Sequence, residues 1–139
     1  MALVVRRERP EDEREISEVV AAAFDDASVA EFIDSIRASA GYVPELTFVG
    51  EEDGLVAGYT MLSYVGLDGG SIDRLLILTP VAVRPDRQRQ GVGTAVVRAA
   101  VAAARIPDQA WLALPLSAYD PDIRGRVVYP PFFPGPPDA

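Results

Sequence analysis

The chain has 139 residues, 21 of them acidic and 13 basic, with a net charge of −8 and neither His nor Cys. Every basic residue is Arg, which excludes Ser-His-Asp and Cys-His nucleophiles, Cys/His zinc sites, disulfides and a lysine Schiff base. A hydrophobic share of 49% with 24% charged residues is that of a globular chain, and the length suits one domain over residues 1–139.

The first residues hold too short an apolar run for a signal peptide, and no run reaches the roughly 18 residues of a membrane helix. A cytoplasmic domain without membrane contact is therefore expected. The acidic total also argues against a nucleic-acid partner.

Residues 3–7 are short, β-branched and bounded by Pro10, as a strand would be. From Glu11 onward Ile16, Val19, Val20, Ala23 and Phe24 recur at helical steps with carboxylates between them. Pro10 near the first turn and acids at the positive end of the dipole support a helix there. Ser28 is placed to cap a second helix carrying Val29, Phe32, Ile33 and Ile36, which Gly41 ends. Residues 46–51 and 55–65 read as strands joined by a hairpin at Asp53-Gly54.

Residues 74–83 are almost wholly apolar, as in a strand covered on both faces. Pro80 within it lacks a ladder donor, which predicts a bulge or a local splitting of the sheet. Residues 94–105 form an Ala/Val-rich helix, and residues 110–114, with Trp111, a further strand. The Pro-rich end offers only residues 126–129 for pairing, followed by an irregular tail over 130–139. The order β-α-α-β-β-β-α-β predicts an α/β fold with a mixed sheet.

Chemistry concentrates between the buried strand and the Ala-rich helix. There Arg84, Arg87 and Arg89 surround Gly91 and Gly93 just before a helix N-terminus. Glycines let the backbone approach a ligand, and the unsatisfied N–H groups and helix dipole favour an anion such as a pyrophosphate. A dinucleotide fingerprint would need a third glycine and a carboxylate about 20 residues on, and a Walker loop would need Lys. Neither is present.

Val81-Ala82-Val83-Arg84-Pro85 and Gln88-Arg89-Gln90-Gly91-Val92-Gly93-Thr94-Ala95 resemble the acetyl-CoA motif of the GNAT N-acetyltransferases, Gln/Arg-x-x-Gly-x-Gly/Ala. The resemblance implies a mixed, mostly antiparallel central sheet flanked by helices, here shortened at its C-terminal end. It implies acetyl-CoA as co-substrate and no metal. The backbone of Val81 and Val83, with Ala82 between them, would pair with the pantetheine arm. Arg87, Gln88, Arg89, Gln90, Gly91, Val92, Gly93 and Thr94 would surround the pyrophosphate. Transfer to an amine would occur directly in a ternary complex, with Tyr119 as the positional candidate for the acid that protonates the leaving thiolate and Tyr129 as a weaker second. The family's strand Glu is missing, and Asp73 is the nearest carboxylate for a base.

The short end would leave a sheet edge for the tail or a second copy to cover, as in a homodimer. The motif serves an active transferase and a non-catalytic acyl-CoA-binding module acting through a partner equally well, so both readings stand. A ligand-free dimerising domain is a third, which the Arg-rich loop opposes. In relatives the first two helices line the acceptor site. Here Asp25, Asp26, Glu31 and Asp34 would suit a cationic amine, although solvated helix faces account for the same charges.

Overall fold

The Asp53-Gly54 turn closes on the pair Glu52↔Leu55, and both turn residues take positive φ, 53° and 78°. That is the conformation whose twist matches an antiparallel hairpin. The protein is described by a computed structural model over residues 2–67, 75–105 and 127–128. Its elements are β1 (Leu3–Arg7), α1 (Glu13–Phe24), α2 (Ser28–Arg37), β2 (Tyr42–Glu52), β3 (Leu55–Leu67), β4 (Leu75–Val83), α3 (Val92–Ala103) and β5 (Val127–Val128). The sheet runs β1-β2-β3-β4, and β5 pairs with the far end of β3. Every described pairing is antiparallel. The strand expected at 110–114, on which a mixed sheet depended, lies outside the described residues.

Alternation along the strands sends neighbouring side chains to opposite layers. Val49, Tyr59, Met61 and Ala82 meet Ile16, Val19 and Val20 of α1 and Ile33 and Ile36 of α2. Leu46, Phe48 and Leu62 meet Ala100 of α3 on the other side. The sheet is thus covered by two helices on one face and one on the other. No described helix is long and apolar enough to cross a membrane.

Several boundaries depart from the sequence expectation for local reasons. A 3-10 turn, Pro10–Asp12, precedes α1, and Asp12 is buried there. Its carboxylate accepts two bonds from Arg6 (2.7 and 2.9 Å) and one from the Arg9 N–H (2.7 Å). Ser28 is the first residue of α2 rather than its cap; Ala27 takes the cap position, and Asp26 Oδ1, one residue earlier, accepts the Ser28 N–H at 2.9 Å. At the other end of α2, Arg37 reaches the buried Glu8 carboxylate, whose second oxygen accepts from Tyr42 Oη at 2.8 Å. Burial, then the Glu8 contact, pushes the Tyr42 hydroxyl up to about 12.

Pro80 does produce the bulge. Thr60 pairs with Val81 and Leu62 with Leu78, so β4 advances three residues while β3 advances two. The extra residue falls at Thr79–Pro80, whose peptide is cis. Thr60 Oγ1 donates to Pro80 O at 3.0 Å in a buried contact that holds the bulge against β3. The two-residue β5 confirms that the segment at 126–129 can pair.

Candidate functional site

Beyond the bulge, β4 leads directly into the glycine loop. Arg84 N–H donates to Ala57 O at 2.8 Å, so strand alternation turns the main-chain groups of Val81 and Val83 away from β3. Among the described residues that edge of β4 has no strand partner. Gln88 Nε2 reaches round to Val83 O at 3.1 Å and closes the lower end of this open edge.

Pro85 starts a 3-10 turn through Arg87, tied by Arg87 N–H to Arg84 O at 2.8 Å. Arg89 and Gly91 then take positive φ, 61° and 90°, and α3 begins at Val92. No side chain caps it. Among the described residues nothing accepts the N–H groups of Val92, Gly93 and Thr94. Three donors and a positive dipole end therefore face outward beside the open edge of β4.

The sheet holds that helix end in place. Val5, Gly50, Gly58 and Val83 form one row across β1 to β4. The two glycines leave a trough in the row. A Cβ on Gly58 would lie 2.5 Å from Val92 Cγ1, and one on Gly50 would lie 3.2–3.3 Å from Val96, Leu3 and Val92. Gly93 sits against the end of the row, where a Cβ would lie 3.3 Å from Val83 Cγ2. The first turn of α3 thus approaches the sheet more closely than side chains would allow.

Charge at the loop is less free than its three arginines imply. Arg84 holds Asp86 through two bonds of 3.1 and 2.8 Å, which keeps the Asp86 carboxyl below its ordinary range. Arg87 Nε donates to Glu52 at 2.9 Å. Arg89, exposed, has no acidic partner among the described residues.

On the opposite face of the sheet a cavity of about 500 Å³ opens between the helices and the bulge. Phe24, Asp26, Glu31 and Phe32 line its helix side, and Thr79 and Pro80 its strand side.

Residues 8–113 match the model of the acetyltransferase (GNAT) family. The chain belongs to the GNAT acetyltransferase family. A GNAT acetyltransferase from Brucella melitensis, solved with acetyl-CoA, is 30% identical over 96% of this chain and 99% of its own, with a TM-score of 0.78. The YhbS N-acetyltransferase of Escherichia coli, solved with CoA, is 22% identical over 73% of this chain and 55% of its own (TM-score 0.65). The ribosomal-protein-S18-alanine N-acetyltransferase of Escherichia coli shares the fold at 20% identity over 70% of this chain and 56% of its own (TM-score 0.54). No curated protein matches.

In this acetyltransferase the segments singled out in the sequence, Val81–Val83 and Arg87–Thr94, converge at one end of β4. Asp73, Tyr119 and Tyr129 lie outside the described residues. Of the four helix carboxylates, Asp26 and Glu31 reach the cavity, whereas Asp34 pairs with Arg37 at 2.8 Å and Asp25 ends α1 with φ 50°. Sequence reading missed Gly50, Gly58 and Glu52. Their partners are distant in the chain (Glu52 and Arg87 are 35 residues apart), and no local pattern marks them.

Proposed function

We propose that this N-acetyltransferase moves the acetyl group of acetyl-CoA onto a primary amine by direct attack in a ternary complex. The observation that carries this reading is the uncapped N-terminus of α3 beside the open edge of β4. The pyrophosphate lies against the N–H groups of the loop from Gln88 to Thr94, with Arg89 adding positive charge and Arg87, held by Glu52, bordering the site. Pantetheine continues the sheet along β4, exchanging main-chain hydrogen bonds at Val81 and Val83 across Ala82. That course brings the thioester to the bulge, where the cavity delivers the amine from the opposite face.

There the amine nitrogen attacks the thioester carbon, the C–S bond breaks and the amine gives up a proton. An outward main-chain N–H of Val81 or Val83 stabilises the negative charge that grows on the carbonyl oxygen. Tyr119 protonates the leaving thiolate and Asp73 receives the amine proton in this scheme.

Thermal unfolding with and without acetyl-CoA tests the binding half, because a ligand bound only to the native state raises the melting temperature. Thiol release in the presence of primary amines tests the transfer half. No melting shift at acetyl-CoA far above micromolar would sink the reading.

A further inference from the structure

We infer that the acceptor is a small diamine, whose second ammonium group is held by Asp26 and Glu31 while the first reacts at the bulge. This rests on the acetyl-transfer reading above and deepens it.

The cavity is divided chemically. Its strand side is Thr79 and Pro80, next to the residues proposed to carry the thioester, and its helix side bears two carboxylates. Two aromatic side chains, Phe24 and Phe32, also line it, with Ser28, Val29 and Ser35. Asp26 spends Oδ1 on the Ser28 N–H, and its carboxyl is held below its ordinary value by Ser28. Asp26 has no cationic partner among the described residues, and the Glu31 carboxylate has no hydrogen-bond partner there. Both carboxylates are exposed at the cavity and receive no cation from the described residues, so a cationic occupant is the complementary one.

Those charges are poorly placed for the reacting nitrogen. A carboxylate beside an amine raises its pKa and keeps it protonated, whereas attack requires the free base. They are well placed for a second cation at the helix end of the cavity. A short methylene chain then crosses the Phe24 and Phe32 rings, against which an ammonium group is also favoured. The volume suits a small molecule.

Three probes with the same reacting amine separate the possibilities: 1,4-diaminobutane, n-butylamine and 4-aminobutyrate. Thiol release at saturating acetyl-CoA should give the diamine a kcat/KM about threefold to fivefold above butylamine, the scale of contacts to exposed carboxylates. The aminobutyrate should be slowest, and added salt should narrow the gap. The double variant Asp26→Asn/Glu31→Gln should bring the diamine-to-butylamine ratio close to one. Asn still offers an oxygen to the Ser28 N–H, and a retained melting shift with acetyl-CoA verifies the fold. Butylamine turning over as well as the diamine, or a preference that survives the double variant, overturns this inference alone. No thiol release with any of the three probes overturns the transfer reading and the inference together.

Discussion

Gly50 and Gly58 face each other across β2 and β3, and Val92 of α3 occupies the space that a side chain on either would need. The sheet thereby sets the height of the helix end proposed to carry the anion site. Val92 is β-branched and stiff within a helix, so it has little freedom to swing away. Gly58→Ala should cost about 1–3 kcal/mol by overpacking. It should also reduce the acetyl-CoA-dependent rise in melting temperature, because α3 is pushed outward. Adding Val92→Ala should restore much of both. A double-mutant cycle by urea unfolding checks this, and strictly additive effects would show that the two positions do not compete for space.

The loop glycines should fail in different ways. Among the described residues nothing lies within 4 Å of a Cβ on Gly91, but its φ of 90° is one that L-residues adopt at a cost. Gly91→Ala should lose about 1–2 kcal/mol through the backbone alone. Gly93→Leu should instead drive a side chain into Val83 and separate α3 from β4. Both variants should weaken the acetyl-CoA shift, Gly93→Leu the more severely; calorimetric titration with acetyl-CoA gives the ranking.

At the bulge, Thr60→Val removes the hydroxyl that donates to Pro80 O, a buried bond between β3 and β4. The expected loss is about 1–2 kcal/mol in denaturant unfolding. Because Pro80 lines the cavity and not the loop, the KM for the amine should rise more than the KM for acetyl-CoA.

Acid sensitivity should centre on Asp12. Hydrogen bonds from Arg6, reinforced by the Arg9 N–H, hold its carboxyl below the ordinary value. A group lowered on folding contributes its stability above its unfolded pKa, near 4, and loses it as pH falls through the folded value. Arg6→Met should therefore cost about 2 kcal/mol at pH 7 and should flatten the fall in stability below pH 4. Urea midpoints at pH 7, 5 and 3 measure both effects.

At the alkaline end the sign reverses. Tyr42 is raised to about 12 by burial and by Glu8, so its contribution is complete below its unfolded pKa, near 10, and is lost as pH rises toward 12. Tyr42→Phe should show a shallower loss of stability between pH 10 and 12 than the parent. An identical slope would take Tyr42 out of the alkaline transition.

What could be read before the fold was known was the local part. Asp53-Gly54, Pro80 and Gly91 each impose a backbone geometry that neighbouring residues cannot override, and each appears as expected. The start of α3 was read two residues late, because Gly93 looks like loop until its helix packs on Val83. Ser28 has the chemistry of a cap but lies inside α2, because Asp26 Oδ1 already accepts its N–H and the helix starts one residue earlier than a Ser28 cap implies. The trough at Gly50 and Gly58, the Glu52 grip on Arg87 and the division of the acids between cavity and ion pairs all depend on residues brought together from distant segments. Periodicity carries no information about such meetings.

The anion site proposed for this acetyltransferase is written mainly in torsion angles. Its central donors are main-chain N–H groups, which every residue but proline supplies, and two of its arginines are already occupied by carboxylates. Main-chain amides do not titrate and are not lost on substitution. Drift at Gln90 and Thr94 should therefore be tolerated so long as the glycine conformations persist. A site of this kind can outlast most of the side chains around it, and relatives with little sequence in common can still hold the same ligand in the same place.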